Sequence, residues 1–261
     1  MSTSKISTSV LTKKYLHPGE KTKEDLWNRV AREIASVSKL ATEKGYRDLL
    51  DNWQFVPAGR ILAGAGRTGK HGCINCFFIG IGEDSVEGIM DAAKRLAVIY
   101  KHQGGCGIDI SSLRPKKVGL ADGGRIPGAP GFMQLFSDVT TSIAQSGRRG
   151  ALIILLDVYH PDIVDFVKIK SEGGVVNAAN VSVRVHDAFM EAVRRGETWK
   201  LRWPATPEGE VIDEIDAREL YDLIIGKAWE NGEPGMFFVN TAQRGNLEAL
   251  EIGERTTGVN P

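Results

Sequence analysis

Leu152-Ile-Ile-Leu-Leu-Asp-Val158 decides the reading of the fold. Its apolar residues run consecutively instead of alternating, which fits a strand covered on both faces, as the strands of parallel sheets usually are. Working outward, short apolar runs at 76–81, 108–113, 178–185 and 236–239 alternate with helical patterns at 85–102, 131–145, 161–170, 187–195 and 216–231. Strands that alternate with helices in this way predict an α/β domain built on a parallel sheet. Upstream, Thr22-Lys-Glu-Asp25 reads as a helix start, and Leu26, Trp27, Val30, Ala31 and Ile34 trace one apolar helical face. The expected organisation is a polar arm over 1–21, a helical region over 22–74 and the α/β domain over 75–261.

The 261 residues carry 33 basic and 33 acidic side chains, and 42% are hydrophobic, so the chain is neither disordered nor short of core. A formal net charge of zero argues against a general electrostatic grip on nucleic acid or an anionic membrane. No window approaches the run of roughly 18 apolar residues that spans a bilayer. Three cysteines, Cys73, Cys76 and Cys106, do not make a secreted disulfide framework, and a cytoplasmic protein is expected.

Several motifs carry possible chemistry. Gly64-Ala-Gly-Arg-Thr-Gly69-Lys70-His71 lacks the Ser or Thr that follows the lysine of a phosphate-binding P-loop, and no helical periodicity follows it, so a turn is expected. Cys73-Ile-Asn-Cys76 has a CxxC spacing, which leaves thiol chemistry and small buried thiols both open; a zinc site would lack ligands. Gln103-Gly-Gly-Cys-Gly107 either lets a backbone approach a ligand or ends a helix. Gln145-Ser-Gly-Arg148-Arg149-Gly150 offers two guanidiniums suited to phosphate or base contact, or to a helix C-terminus. Residues 119–131 form a long Gly- and Pro-rich loop of the kind that often carries function.

Together these segments resemble the large subunit of ribonucleotide reductases, most of all the adenosylcobalamin-dependent class II enzymes. The resemblance runs through Phe55-Val-Pro-Ala-Gly-Arg60, Asn75-Cys76-Phe-Phe, Glu83-Asp84-Ser85, Gln103-Gly-Gly-Cys-Gly-Ile-Asp109, Ser112-Leu-Arg-Pro115, Gly147-Arg-Arg-Gly-Ala151, His160-Pro-Asp-Ile163, Ala179-Asn-Val-Ser-Val-Arg184, Glu233-Pro-Gly-Met-Phe-Phe238 and Asn260-Pro261. It implies a helical N-terminal region followed by the first five-stranded parallel half of a ten-stranded α/β barrel. It further implies that Cys76 is one thiol of a redox pair, that Asn260 hydrogen-bonds the substrate ribose, and that Asn75, Gly104 and Gly105 wall the ribonucleotide substrate. Asp84, Ser85 and Arg114, with Gln145, Arg148 and Arg149, correspond to the site that reads an allosteric dNTP or ATP effector at a homodimer interface.

The resemblance places a radical cysteine directly after the Asn-Pro on which this sequence stops. The chain is therefore expected to be the N-terminal portion of the enzyme, inactive until its C-terminal half is supplied. An intein-split gene and a plain truncation both fit that ending, and an unpaired half-barrel is expected to expose an apolar sheet face and a strand edge. The competing reading is a non-catalytic module that binds dNTPs and dimerises.

Overall fold

The computed structural model describes residues 5–67, 72–119, 124, 126–143, 150–170, 174, 176–246 and 258–259. The chain divides into two compact units, Met1–Asn75 and Cys76–Pro261.

The first unit holds helices α1 (Lys5–Lys14), α2 (Lys23–Val37), α3 (Glu43–Asp51) and α4 (Gly59–Gly64). Thr22 caps α2 in a reciprocal capping box with Asp25, and Thr42 caps α3 by accepting from the Gly45 amide. Leu26, Trp27, Val30 and Ala31 are buried on the predicted face of α2, where they meet Leu50 and Leu62. The stretch expected as a loose arm is bound into this unit instead. Leu11, Tyr15 and Leu16 pack against its core, and Arg29 ties it down by bonding Glu20 at 2.7 Å, the Tyr15 carbonyl at 3.1 Å and the Leu62 carbonyl at 3.0 Å. Those scattered apolar residues within a polar stretch are what the composition of 1–21 conceals.

In the second unit the order is β1 (Cys76–Gly80), α5 (Val86–Lys101), β2 (Gly105–Asp109), α6 (Gly128–Gly131), α7 (Met133–Ser142), β3 (Leu152–Asp157), α8 (Ile163–Lys168), β4 (Asn180–Val185), α9 (Asp187–Arg195), β5 (Thr198–Trp203), β6 (Glu210–Asp216), α10 (Ala217–Asn231), β7 (Gly235–Phe238) and α11 (Val239–Gly245). Among the described residues, β1, β2, β3, β4 and β7 form one five-stranded sheet in that order, every pairing parallel. The expected α/β architecture is therefore present, with β3 at its centre.

Several elements differ from expectation: the stretch expected as a loop over 119–131 ends in the short helix α6, and the helix α11 follows β7 where none was expected. The second strand begins at Gly105 and ends at Asp109, not at 108–113, because pairing with β1 and β3 on its two sides holds Gly105-Cys-Gly107 extended despite the low strand propensity of glycine. An antiparallel hairpin, β5 with β6, stands between α9 and α10 where no strand was expected.

The register sorts the sheet into two unlike faces, since side chains alternate along each strand. Ile79, Cys106, Ile108, Leu152, Ile154, Leu156, Val181, Val183 and Val185 all point into the core shared with α5, α7, α8, α9 and α10. The opposite face carries Cys76 and Phe78 on β1, Gly105, Gly107 and Asp109 on β2, Ile153, Leu155 and Asp157 on β3, and Asn180, Ser182 and Arg184 on β4. The open face expected to be apolar is thus mixed, with Phe78, Ile153, Leu155 and, on β7, Phe237 among small and charged residues, and its deepest part is buried, with Leu155 at 0% and Asp157 at 1% exposure.

Candidate functional site

The candidate residues fall at the two ends of the sheet. At the N-terminal end, β1 starts at Cys76 and β2 at Gly105, and these two residues stand directly opposite each other. Cys76 is half-buried on the non-core face. Asn75, which precedes it in the chain, is exposed. The backbone at Gly258 lies so close to Phe78, the next residue of β1 on that face, that a Cβ there would overlap the ring. Chain leading to Asn260 therefore approaches the same face; Asn260 itself lies outside the described residues.

Cys106 stands one residue along from Gly105 and so faces the helices, fully buried. Burial pushes its thiol up to about 12, which leaves it protonated and poorly nucleophilic at neutral pH. Of the described thiols on the two strands, Cys76 alone is on the open face. The Gln103-Gly104 turn has a packing explanation: the Gly104 amide closes the end of α5 on the Ile99 carbonyl at 3.0 Å, and a Cβ would stand 2.8 Å from both Ile99 and Phe77.

At the C-terminal end of the sheet, where ligands of open α/β folds usually bind, Ser85 caps α5 by accepting from the Gly88 amide at 3.0 Å. Beside it Asp84 pairs with the Arg114 guanidinium, which also donates to the Asp84 carbonyl at 3.2 Å. Three of the proposed effector residues therefore meet. Gln145, Arg148 and Arg149 lie outside the described residues, as does the Gly69-Lys70-His71 turn.

Arg114 is followed by a second polar cluster. The buried His160 accepts the Asp162 amide on Nδ1 at 3.0 Å, so its proton sits on Nε2 and donates to the Leu113 carbonyl at 2.8 Å. Burial holds its pKa below the usual imidazole value, in keeping with that neutral tautomer. The Asp162 carboxylate receives the amides of Lys116 at 3.2 Å and Ala129 at 3.1 Å.

A third cluster carried no expectation. Arg184 donates to Asp157 at 2.6 Å and also to Asp109, while His186 bonds Asp157 at 2.8 Å. Ser111 links the Asp109 carboxylate to the Asp157 backbone, donating to Asp109 at 2.5 Å and accepting the Asp157 amide at 2.8 Å. Burial alone would raise the Asp157 pKa, but the His186 bond and the Arg184 charge outweigh it and hold the carboxyl below its ordinary value. The one available signal in the sequence was a charge inside each of three apolar strand runs: Asp109, Asp157 and Arg184.

The ribonucleotide reductase barrel domain matches residues 74–254, and the ribonucleotide reductase all-alpha domain matches residues 1–70. The chain belongs to the ribonucleotide reductase family. Among similar reductases, the vitamin B12-dependent ribonucleoside-diphosphate reductase of Thermoplasma acidophilum is 37% identical over 207 residues, covering 77% of this chain and 26% of that protein. The enzyme of the same description from Mycobacterium tuberculosis is 34% identical over 256 residues, 92% of this chain and 36% of its own length. This chain thus spans between about a quarter and a third of these reductases. The Actinobacillus ureae class Id ribonucleotide reductase alpha subunit superposes with a TM-score of 0.78 over 98% of this chain and 44% of its own, at 20% identity, a likeness of fold.

Proposed function

We propose that this chain is the N-terminal part of an adenosylcobalamin-dependent ribonucleotide reductase, converting ribonucleotides to deoxyribonucleotides when joined to the rest of the enzyme. The observation that carries it is the placement of Cys76, half-buried on the non-core face at the end of the sheet, beside a locked Cys106 that cannot replace it. In this reading Cys76 and a thiol from the remainder close to a disulfide, releasing two electrons and two protons as the ribose loses its 2′ hydroxyl as water. The remainder also supplies the radical cysteine.

Asn75 and the Gly104-Gly105 turn wall the substrate, and the Asn260 amide fixes its ribose. Adenosylcobalamin would supply the radical when bound. The described residues hold no group of three or more His, Cys, Asp or Glu side chains that could take a metal, and both ring nitrogens of His160 are engaged. Localisation in the cytoplasm is part of the proposal; among the described residues no helix is long and apolar enough to cross a membrane.

Asp84, Ser85 and Arg114, together with Gln145, Arg148 and Arg149, form the effector site for a dNTP or ATP, completed when two copies pair. Arg114→Ala removes a charged fork that suits phosphate. It is expected to weaken dNTP binding by roughly tenfold or more, equal to about 1.4 kcal/mol, in an equilibrium titration. Unchanged affinity would take this cluster out of the effector site.

A further inference from the structure

β2 ends at Asp109, and the chain on either side of Arg114 and the start of α6 are both fastened to one short segment, His160-Pro-Asp162. His160 Nε2 donates to the Leu113 carbonyl, one residue before Arg114, and Asp162 accepts the Lys116 amide two residues after it. The same carboxylate accepts the Ala129 amide at the start of α6. Its Oδ2 atom receives both amides, at 3.3 Å from Lys116 and 3.1 Å from Ala129. Gly128, at φ +73°, brings the returning backbone so close that a Cβ would overlap Asp162. A peripheral ion pair, Lys116 to Asp165 at 2.6 Å, lies beside this junction and is half exposed.

We propose that Asp162 is a positioning residue for the effector site: its carboxylate is the clasp that ties Lys116 to Ala129 and, with His160, sets the backbone on both sides of Arg114. The guanidinium then meets Asp84 from a fixed base. This rests on the effector reading given above. The chemistry suits the task, because a buried carboxylate can hold two converging N–H groups at once. His160 acts one step further back, orienting Asp162 through its own amide and holding Leu113.

The test compares the unmodified sequence with Asp162→Ala and Asp162→Asn, each in the complete reductase, by two measurements. Amide hydrogen exchange at Lys116 and Ala129 reports the clasp without any nucleotide, and dATP or dTTP titration reports the effector site. For Asp162→Ala, exchange at both amides is expected to rise at least about tenfold while the β3 amides stay protected, with dNTP affinity falling by roughly tenfold. Asp162→Asn keeps one oxygen that can take both amides and is expected to recover most of the protection and affinity, and it serves as the readable variant should Asp162→Ala fail to fold. Unchanged exchange at both amides in Asp162→Ala, or faster exchange in Asp162→Asn equal to that of a deletion of the carboxyl, would overturn the clasp. Loosened amides with undiminished dNTP affinity would overturn the positioning role. An unmodified complete reductase that binds no dNTP but shows the expected exchange pattern would overturn the effector reading, and leave the clasp as a backbone anchor alone.

Discussion

Arg184→Ala is expected to destabilise the α/β unit by about 3–5 kcal/mol, the usual consequence of removing one member of a buried charge cluster. Arg184 lies between Asp109 and Asp157 with 17% of its side chain exposed, while the Asp157 side chain is 2% exposed. Without the guanidinium two carboxylates remain close together, and one of them has no route to water. A fall of this size is a large part of a domain's typical net stability of about 5–15 kcal/mol, so the variant should unfold at markedly lower denaturant concentration. Arg184→Lys should restore only part of the loss, because a single ammonium cannot reproduce the planar fork that reaches both acids.

The same cluster fixes a pH dependence. Asp157 is held below its ordinary value of 3.8 in the folded chain, so its contribution is complete above that value and is lost as pH falls toward the folded pKa. Acid unfolding of the second unit should therefore set in below about pH 4. Arg184→Ala removes the charge that depresses the carboxyl, so the acid midpoint should move to higher pH. Circular dichroism followed from pH 7 to pH 2 checks both points; an unmoved acid midpoint would mean that the ion cluster does not couple to folding.

Cys76→Ser in the complete reductase should abolish turnover, with a loss of about a thousandfold or more, because a hydroxyl cannot close the disulfide that delivers the two electrons. Cys106→Ala should behave differently. It trims a fully buried thiol from the helical face of the sheet, so it should cost stability of roughly 1 kcal/mol and leave turnover largely intact. Selective alkylation gives a second view: Cys76 and the exposed Cys73 should react in the folded chain, and Cys106 only after unfolding. Loss of turnover in both variants alike would deny Cys76 its special place.

How much of this was legible in the residues differs from element to element. The central strand was readable because Leu152 to Leu156 is an unbroken apolar run, and α2, α9 and α10 because their periodicity and capping residues agree. The second strand was not, since Gly105-Cys-Gly107 has the local preferences of a turn and becomes a strand only through its two neighbours. The β5–β6 hairpin was hidden in a stretch dense with charge, although Trp199 and Leu201 alternate with Lys200 and Arg202 there. In the site, the partnership of Asp84 with Arg114 spans 30 positions of sequence and was available only through family resemblance. The Asp109, Asp157 and Arg184 cluster needed the sheet register, because residues from three strands meet only once the strands are aligned. The different fates of Cys76 and Cys106 likewise follow from a one-residue offset between paired strands.

The central claim is that this chain contributes one part of a ribonucleotide reductase, and product formation tests it most directly. The purified chain, the remaining reductase polypeptide and the two combined are each incubated with ribonucleotide, adenosylcobalamin and a dithiol, and deoxyribonucleotide is quantified. Product is expected from the combination only, dependent on adenosylcobalamin. Product from this chain alone, or none from a combination shown to have assembled, would contradict it.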